Sequence, residues 1–196
     1  MKILFLYNND IAIKLADWLS EKGNEVTRCS DHIDGEWLKS ERFDLLVSYT
    51  YKFIVAQEIV DIVGGNIINL HISYLPWNRG ADPNLWSWIE DSPKGVSIHF
   101  INAGCDKGDI IAQKLVELSE HETLASSYRK LNDEIIELFK DIYPYRSHWK
   151  EMRKRTIGQG SYHSVADFLK YKPCLVSFEE TVKEFLQRIN LVKSAD

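Results

Sequence analysis

The sequence predicts an α/β fold with a central, mostly parallel sheet flanked by helices, and an antiparallel strand in its second half. Three observations carry this. Short apolar runs alternate with segments of helical period from Ile3 to Leu70. The first of these runs is apolar on both faces, as a strand inside a parallel sheet is. From Gly95 onward the pattern changes to strict alternation followed by a second extended run, which reads as a strand that turns back.

The elements follow in order. Ile3 to Tyr7 is continuously apolar and stops at Asn8-Asn9-Asp10, a strand buried on both faces. Ile11, Leu15, Trp18 and Leu19 stand at helical spacing and end in Lys22-Gly23, a helix with a glycine stop. Residues 25–29 and 45–49 read as the second and third strands. Residues 54–63 read as a short helix closed by Gly64-Gly65, and 66–70 as a returning strand. Val96, Ile98 and Phe100 alternate with Ser97 and His99, which predicts a half-exposed strand. A turn-rich loop over 102–109 precedes the extended run 110–118. The longest helix is expected from Thr123 to about Ile142, with Leu124, Tyr128, Leu131, Ile135, Leu138 and Ile142 as its apolar stripe. Ser177 with Glu180 reads as a capping box opening a last helix through Asn190. No repeat or linker divides the chain. The expectation is one domain over 1–196, with about 146–196 a less regular C-terminal extension.

Composition narrows the function classes. The hydrophobic share is 44% and the charged share 27%, ordinary for a globular protein. A net charge of −5 gives no basic field for gripping a nucleic acid backbone. Cys29, Cys105 and Cys174 stand far apart with no CxxC, so no metal site is expected and a reducing compartment is. No apolar run is long enough for a membrane span or a signal peptide, which predicts a cytoplasmic protein without membrane partners.

Two segments concentrate the chemistry. In Asn69-Leu70-His71-Ile72-Ser73-Tyr74-Leu75-Pro76-Trp77-Asn78-Arg79-Gly80, Asn69 and His71 lie two apart at a strand end, so they share a face. Strand carboxyl ends are where open α/β sheets bind ligands. In Gly104-Cys105-Asp106-Lys107-Gly108-Asp109, glycines flank a carboxylate. Taken singly, each residue is more simply a turn former or a structural histidine.

Together and in this order they resemble the formyltransferases that use 10-formyltetrahydrofolate. Those enzymes carry an Asn-x-His-x-Ser-Leu-Leu-Pro segment, a following Gly, and an Asp in a Gly-x-Asp-x-Gly loop. Here Asn69, His71, Ser73, Leu75, Pro76, Gly80 and Asp106 match, with Tyr74 replacing the first Leu. Arg79 to Asn84 and Gly95 to Phe100 match as well. The resemblance is strong over about 47–116. It implies a Rossmann-like formyltransferase fold and formyl transfer from 10-formyltetrahydrofolate to a primary amine, with no metal. It further implies Asn69, His71 and Asp106 as catalytic residues. Amine attack on a formyl carbon builds an oxyanion, which Asn69 and a protonated His71 would meet with N–H donors. Asp106 would orient His71 and help move the proton. The donor is expected against Tyr51, Lys52, Phe53, Ile54, Val55, Ile101, Asn102, Ala103 and Gly104. The acceptor is expected near Trp77, Arg79, Gly80 and Asn84.

Departures within the resemblance bear on the acceptor. Glycinamide ribonucleotide enzymes hold a phosphate with a Gly-Ser-Gly-type loop where this chain has Asn8-Asn9-Asp10, and methionyl-tRNA enzymes carry a further C-terminal domain. The amino-sugar N-formyltransferases resemble the 77–84 segment most, so a nucleotide-linked amino sugar is the expected acceptor. Another small amine, hydrolysis of the donor, and a non-catalytic folate- or nucleotide-binding module are the alternatives. Oligomeric state, a homodimer included, stays open. The basic run Arg146 to Arg155 reads as solvated surface or as a phosphate contact.

Overall fold

In the computed structural model, which describes residues 1–102, 104–156 and 158–194, the opening apolar run becomes β1 (Lys2–Leu6). Its Ile3, Leu4, Phe5 and Leu6 are wholly buried, as a strand covered on both faces requires. A short 3-10 turn leads into α1 (Ile13–Glu21), which buries Leu15 and Leu19 and ends before Gly23, held at φ 80°. β2 (Glu25–Cys29), α2 (Gly35–Glu41) and β3 (Leu45–Tyr49) follow. Asp34 caps α2 by accepting the Glu36 N–H at 2.6 Å, which accounts for the carboxylate in Asp31-His32-Ile33-Asp34 as a cap. α3 (Gln57–Ile62) and β4 (Ile67–His71) complete the series.

Parallel pairing joins β1 to β2, β1 to β3 and β3 to β4, with Ser48 opposite Asn69. β6 (Gly95–Phe100) and β7 (Ile110–Leu115) extend the sheet to the order β2-β1-β3-β4-β6-β7, once β5 (Arg79–Gly80) and α4 (Pro83–Ile89) have intervened in the chain. β6 runs antiparallel to β4, and β7 antiparallel to β6. Ile101 N–H donates to Ile67 O, and Phe100 N–H donates to Asp109 O. The remaining elements are α5 (Leu124–Ile142), α6 (Trp149–Met152), β8 (Tyr162–His163) and α7 (Val182–Lys193), with 3-10 turns between them.

The chain forms two compact units. One comprises Met1–His71, Ile98–Ala112 and Ile142–Thr156, and the other Ile72–Ser97, Gln113–Asp141 and Ile157–Asp196. In the first, Leu4, Leu6, Leu46 and Ile67 pack with Leu38 of α2 and with Ile59 and Val60 of α3. In the second, α4 is buried all round. Its Leu85, Trp86, Trp88 and Ile89 cluster with Leu124, Phe168 and the Val182, Phe185 and Ile189 stripe of α7. Burying each side chain of this size contributes about 1.5–3 kcal/mol.

Four local expectations shift. The helix expected from Ile54 begins at Gln57, because Thr50 takes a left-handed φ of 60° and Ala56 is extended. β6 is buried on both faces rather than half-exposed, since Ser97 and His99 satisfy their polar atoms on backbone carbonyls. On α5 the buried stripe takes in Ile136 and Phe139, leaving Leu138 half-buried. The capping box of the last helix is Thr181 with Glu184, four residues later than expected.

Candidate active site

The first unit assembles four polar side chains from two strands and one loop. Asn69 and His71 share a face of β4 by the two-residue period, while Ile68 and Leu70 fill the other. His99 projects from β6 beside them, its ring centroid 6.4 Å from that of His71. Asp106 comes from the 102–109 loop, whose course depends on its glycines. Gly104 sits at φ 112°, and a Cβ on Gly108 would strike the Phe100 carbonyl. Asp106 itself holds a left-handed φ of 49°, which folds its carboxylate back toward the strands.

The carboxylate is held from both sides. Oδ1 accepts from Asn69 Nδ2 at 3.1 Å and lies 3.3 Å from His99 Nε2. Oδ2 faces His71 Nδ1 at 3.7 Å, within ion-pair range and beyond a hydrogen bond, and accepts from the Cys105 thiol at 3.4 Å. Asp106, His71 and His99 side chains are 10%, 8% and 2% exposed. A carboxylate this buried persists only with such partners. Asn69, His71 and Asp106, expected from the sequence, are thus brought together. His99 and Cys105 were not singled out. The signal for His99 was its place on the polar face of an alternating strand, which the half-exposed reading assigned to solvent.

The loop expected to hold the donor is also in this unit. Tyr51 donates from its hydroxyl to Asp31 O at 2.7 Å, and burial pushes its phenol above the ordinary range. Lys52 N–H donates to Asn8 Oδ1 at 2.9 Å, and its ammonium lies over the Phe53 ring. Phe53 stands edge-on to Tyr51 and His32. Val55 and Ile101 pack into the α2–α3 core, whereas Ile54 is 81% exposed. Asn102 is exposed, Gly104 adjoins the Lys107 side chain, and Ala103 lies outside the described residues.

The four acceptor candidates all belong to the second unit. Trp77 is 39% exposed. Arg79 is half-buried and spends its guanidinium on the carbonyls of Ser161 at 3.2 Å and Gln159 at 3.4 Å. Gly80 pairs with His163 at φ 91°, where a Cβ would collide with the His163 carbonyl. Asn84, expected near the acceptor, is 5% exposed, and its amide donates to Leu124 O and Ser127 Oγ. In the same unit Ser73 donates to Trp77 O and Ser97 to Ser73 O, fixing the loop after β4.

The formyl transferase family model matches residues 13–141, and the chain belongs to that family. A crystal structure of the formyltransferase PseJ from Anoxybacillus kamchatkensis, in complex with UDP-4,6-dideoxy-4-formamido-L-AltNAc and tetrahydrofolate, superposes with a TM-score of 0.86. It shares 39% identity over 94% of this chain and 97% of that one. The dTDP-4-amino-4,6-dideoxyglucose formyltransferase of Mycobacterium bovis is 28% identical over 80% of this chain and 66% of its own length. The methionyl-tRNA formyltransferase of Fusobacterium nucleatum is 36% identical over 50% of this chain and 32% of its own. The match therefore spans less than two thirds of either curated relative. No helix among the described residues is long and apolar enough to cross a membrane.

Proposed function

We propose that this protein transfers a formyl group from 10-formyltetrahydrofolate to the primary amine of a nucleotide-linked amino sugar. The observation that carries the proposal is the near full-length likeness to PseJ, a formyltransferase crystallised with a formamido sugar nucleotide and tetrahydrofolate. The buried Asn69/His71/His99/Asp106 cluster supplies the matching chemistry.

The bound donor supplies an already activated formyl group, so no enzyme nucleophile is needed. Negative charge develops on the formyl oxygen as the amine attacks, and a protonated His71 meets it with an N–H. Asp106, 3.7 Å from His71 Nδ1, orients the ring. The attacking nitrogen loses a proton and the departing folate nitrogen gains one, and His71 with Asp106 forms the relay. Tyr51, Phe53, Ile54 and Val55, with Ile101, Asn102 and Gly104, hold the pterin. Trp77, Arg79 and Gly80 belong to the acceptor side.

The test is incubation with 10-formyltetrahydrofolate and a panel of UDP- and dTDP-linked amino sugars, with formamide products detected by mass. Formate release without any formamide would replace transfer with hydrolysis. A reduced-folate analogue should also raise the melting temperature in a dose-dependent way. Neither formamide nor a thermal shift at saturating analogue would remove the proposal.

A further inference from the structure

The C-terminal extension returns to the loop after β4 and bonds to it residue by residue. Ser161 N–H donates to Pro76 O at 3.2 Å, and Arg79 N–H donates to Ser161 O at 3.1 Å. The Ser161 hydroxyl works in both directions. It accepts from Asn78 N–H at 2.9 Å and donates to Asn78 Oδ1 at 3.2 Å. The Arg79 guanidinium adds its bonds to Ser161 O and Gln159 O. Gly160 is held at φ 54°, where a Cβ would strike Pro76 O, so no side chain fits between the two segments. Residues 158–163 therefore form a strap across the 76–80 loop.

The far end of the strap is anchored. Ala81 N–H donates to His163 O at 2.9 Å, where β5 pairs with β8. His163 is buried and stacks on Trp86, with ring centroids 3.7 Å apart, and its Nε2 stands 3.0 Å from Glu90 Oε1. Strap, loop and anchor all belong to the second unit. The strap also lies past residue 141, where the family match stops.

The loop under the strap is the one on the acceptor side. Asn78 is wholly buried at a left-handed φ of 53°, between the half-buried Arg79 and the exposed Trp77. A loop that is ordered only by its ligand takes its lost conformational entropy out of the binding free energy. One that is already ordered does not.

We propose that Ser161 is a positioning residue for the acceptor, holding the 76–80 loop in its binding form before the acceptor arrives. Its bonds go to the loop, which meets the acceptor alike in ground and transition states, so its effect falls on KM and not on kcat. The inference rests on the N-formyl transfer reading above, in which Trp77 and Gly80 belong to the acceptor side.

Kinetics with a UDP- or dTDP-linked amino sugar that the wild type formylates test it. Ser161→Ala should raise the acceptor KM about fivefold, the scale of one hydrogen bond, with kcat and the donor KM unchanged. Ser161→Thr keeps a hydroxyl and should recover most of the loss. An unchanged acceptor KM, a comparable fall in kcat, an equal rise in the donor KM, or equal losses in the two variants would overturn the proposal. Should Ser161→Ala not fold, hydrogen exchange on the wild type decides. The amides of Asn78, Arg79 and Ser161 should exchange slowly in the free enzyme and more slowly with the amino sugar alone, while a reduced-folate analogue leaves them unchanged. Rapid exchange in the free enzyme, or no response to the amino sugar, would overturn it. A wild type that formylates no such sugar defeats the underlying reading, an outcome visible before any variant is made.

Discussion

Both compact units bury polar side chains, and they spend them differently. In the first, Asn69, His99 and Asp106 bond chiefly to one another, around a carboxylate that also faces His71. In the second, Ser73, Ser97, Asn84 and Ser127 donate to backbone carbonyls and to each other, tying the 73–77 loop to β6 and α4 to α5. Burying a polar group is costly unless it is bonded, so both arrangements need their partners. The difference lies in what a ligand would find. A cluster of ionisable groups can move a proton, whereas hydroxyls and amides tied to carbonyls only hold the chain in place.

The largest expected effect sharpens this contrast from the first side. His71→Ala and Asp106→Asn should each lower formyl transfer by about two to four orders of magnitude, since they remove the charged donor or its partner. Their melting temperatures should stay near that of the parent. Near-parental turnover in either variant would make the first cluster as structural as the second. From the other side, Ser127→Ala should cost about 1–3 kcal/mol of stability in denaturant unfolding, because the Asn84 amide loses a buried partner. Its kcat should be unchanged. A fall in kcat without a fall in stability would erase the distinction.

The same distinction explains what could be read from the sequence. β1 and β3 fall within a residue of their expected limits, because continuous apolar runs have few other solutions, and the less apolar β2 falls there too. The strand period put Asn69 and His71 on one face and glycines marked the Asp106 loop, but only the family resemblance joined the three into one expected site. His99 was not, because alternation alone treats a polar residue as outward-facing, while here a carbonyl and an amide make burial tolerable. Asn84 failed in the opposite sense. It stands in a motif-like segment, yet α4 turns it into the interior. The late start of α3 depends on the left-handed Thr50, whose Oγ1 accepts from the Asn9 N–H, a contact between distant positions in the chain.

A smaller effect lies at the start of α7. The Thr181 hydroxyl and N–H both bond Glu184 and hold its carboxyl below the usual range. A depressed folded-state pKa adds stability above the unfolded carboxylate range, and that stability is lost as pH falls through the folded value. Thr181→Ala should therefore be less stable than the parent at neutral pH, with the gap closing in acid. A gap independent of pH would assign the loss to packing instead.

The smallest expected effect concerns the basic run. Arg153 Nε lies 3.6 Å from Asp109 Oδ2 with both side chains substantially exposed, and Lys150 Nζ reaches Gly64 O at 3.5 Å. Together they line a pocket of about 260 Å³ with Gly65, Phe100, Ile101 and Asn102. An exposed pair of this kind adds little stability, on the order of 1 kcal/mol at most, so its cations are cheap to redirect toward a ligand. A diphosphate is best met by guanidinium forks. Replacing Arg153 and Arg155 together with alanine should raise the acceptor KM a few-fold and leave kcat alone, the signature of binding shared by ground and transition states. Added salt should shrink the difference, since screening over about 8 Å blunts exposed charges. If KM does not move, the run is solvated surface. The acceptor's phosphates would then have to be met elsewhere, with Arg79 the next side chain to replace.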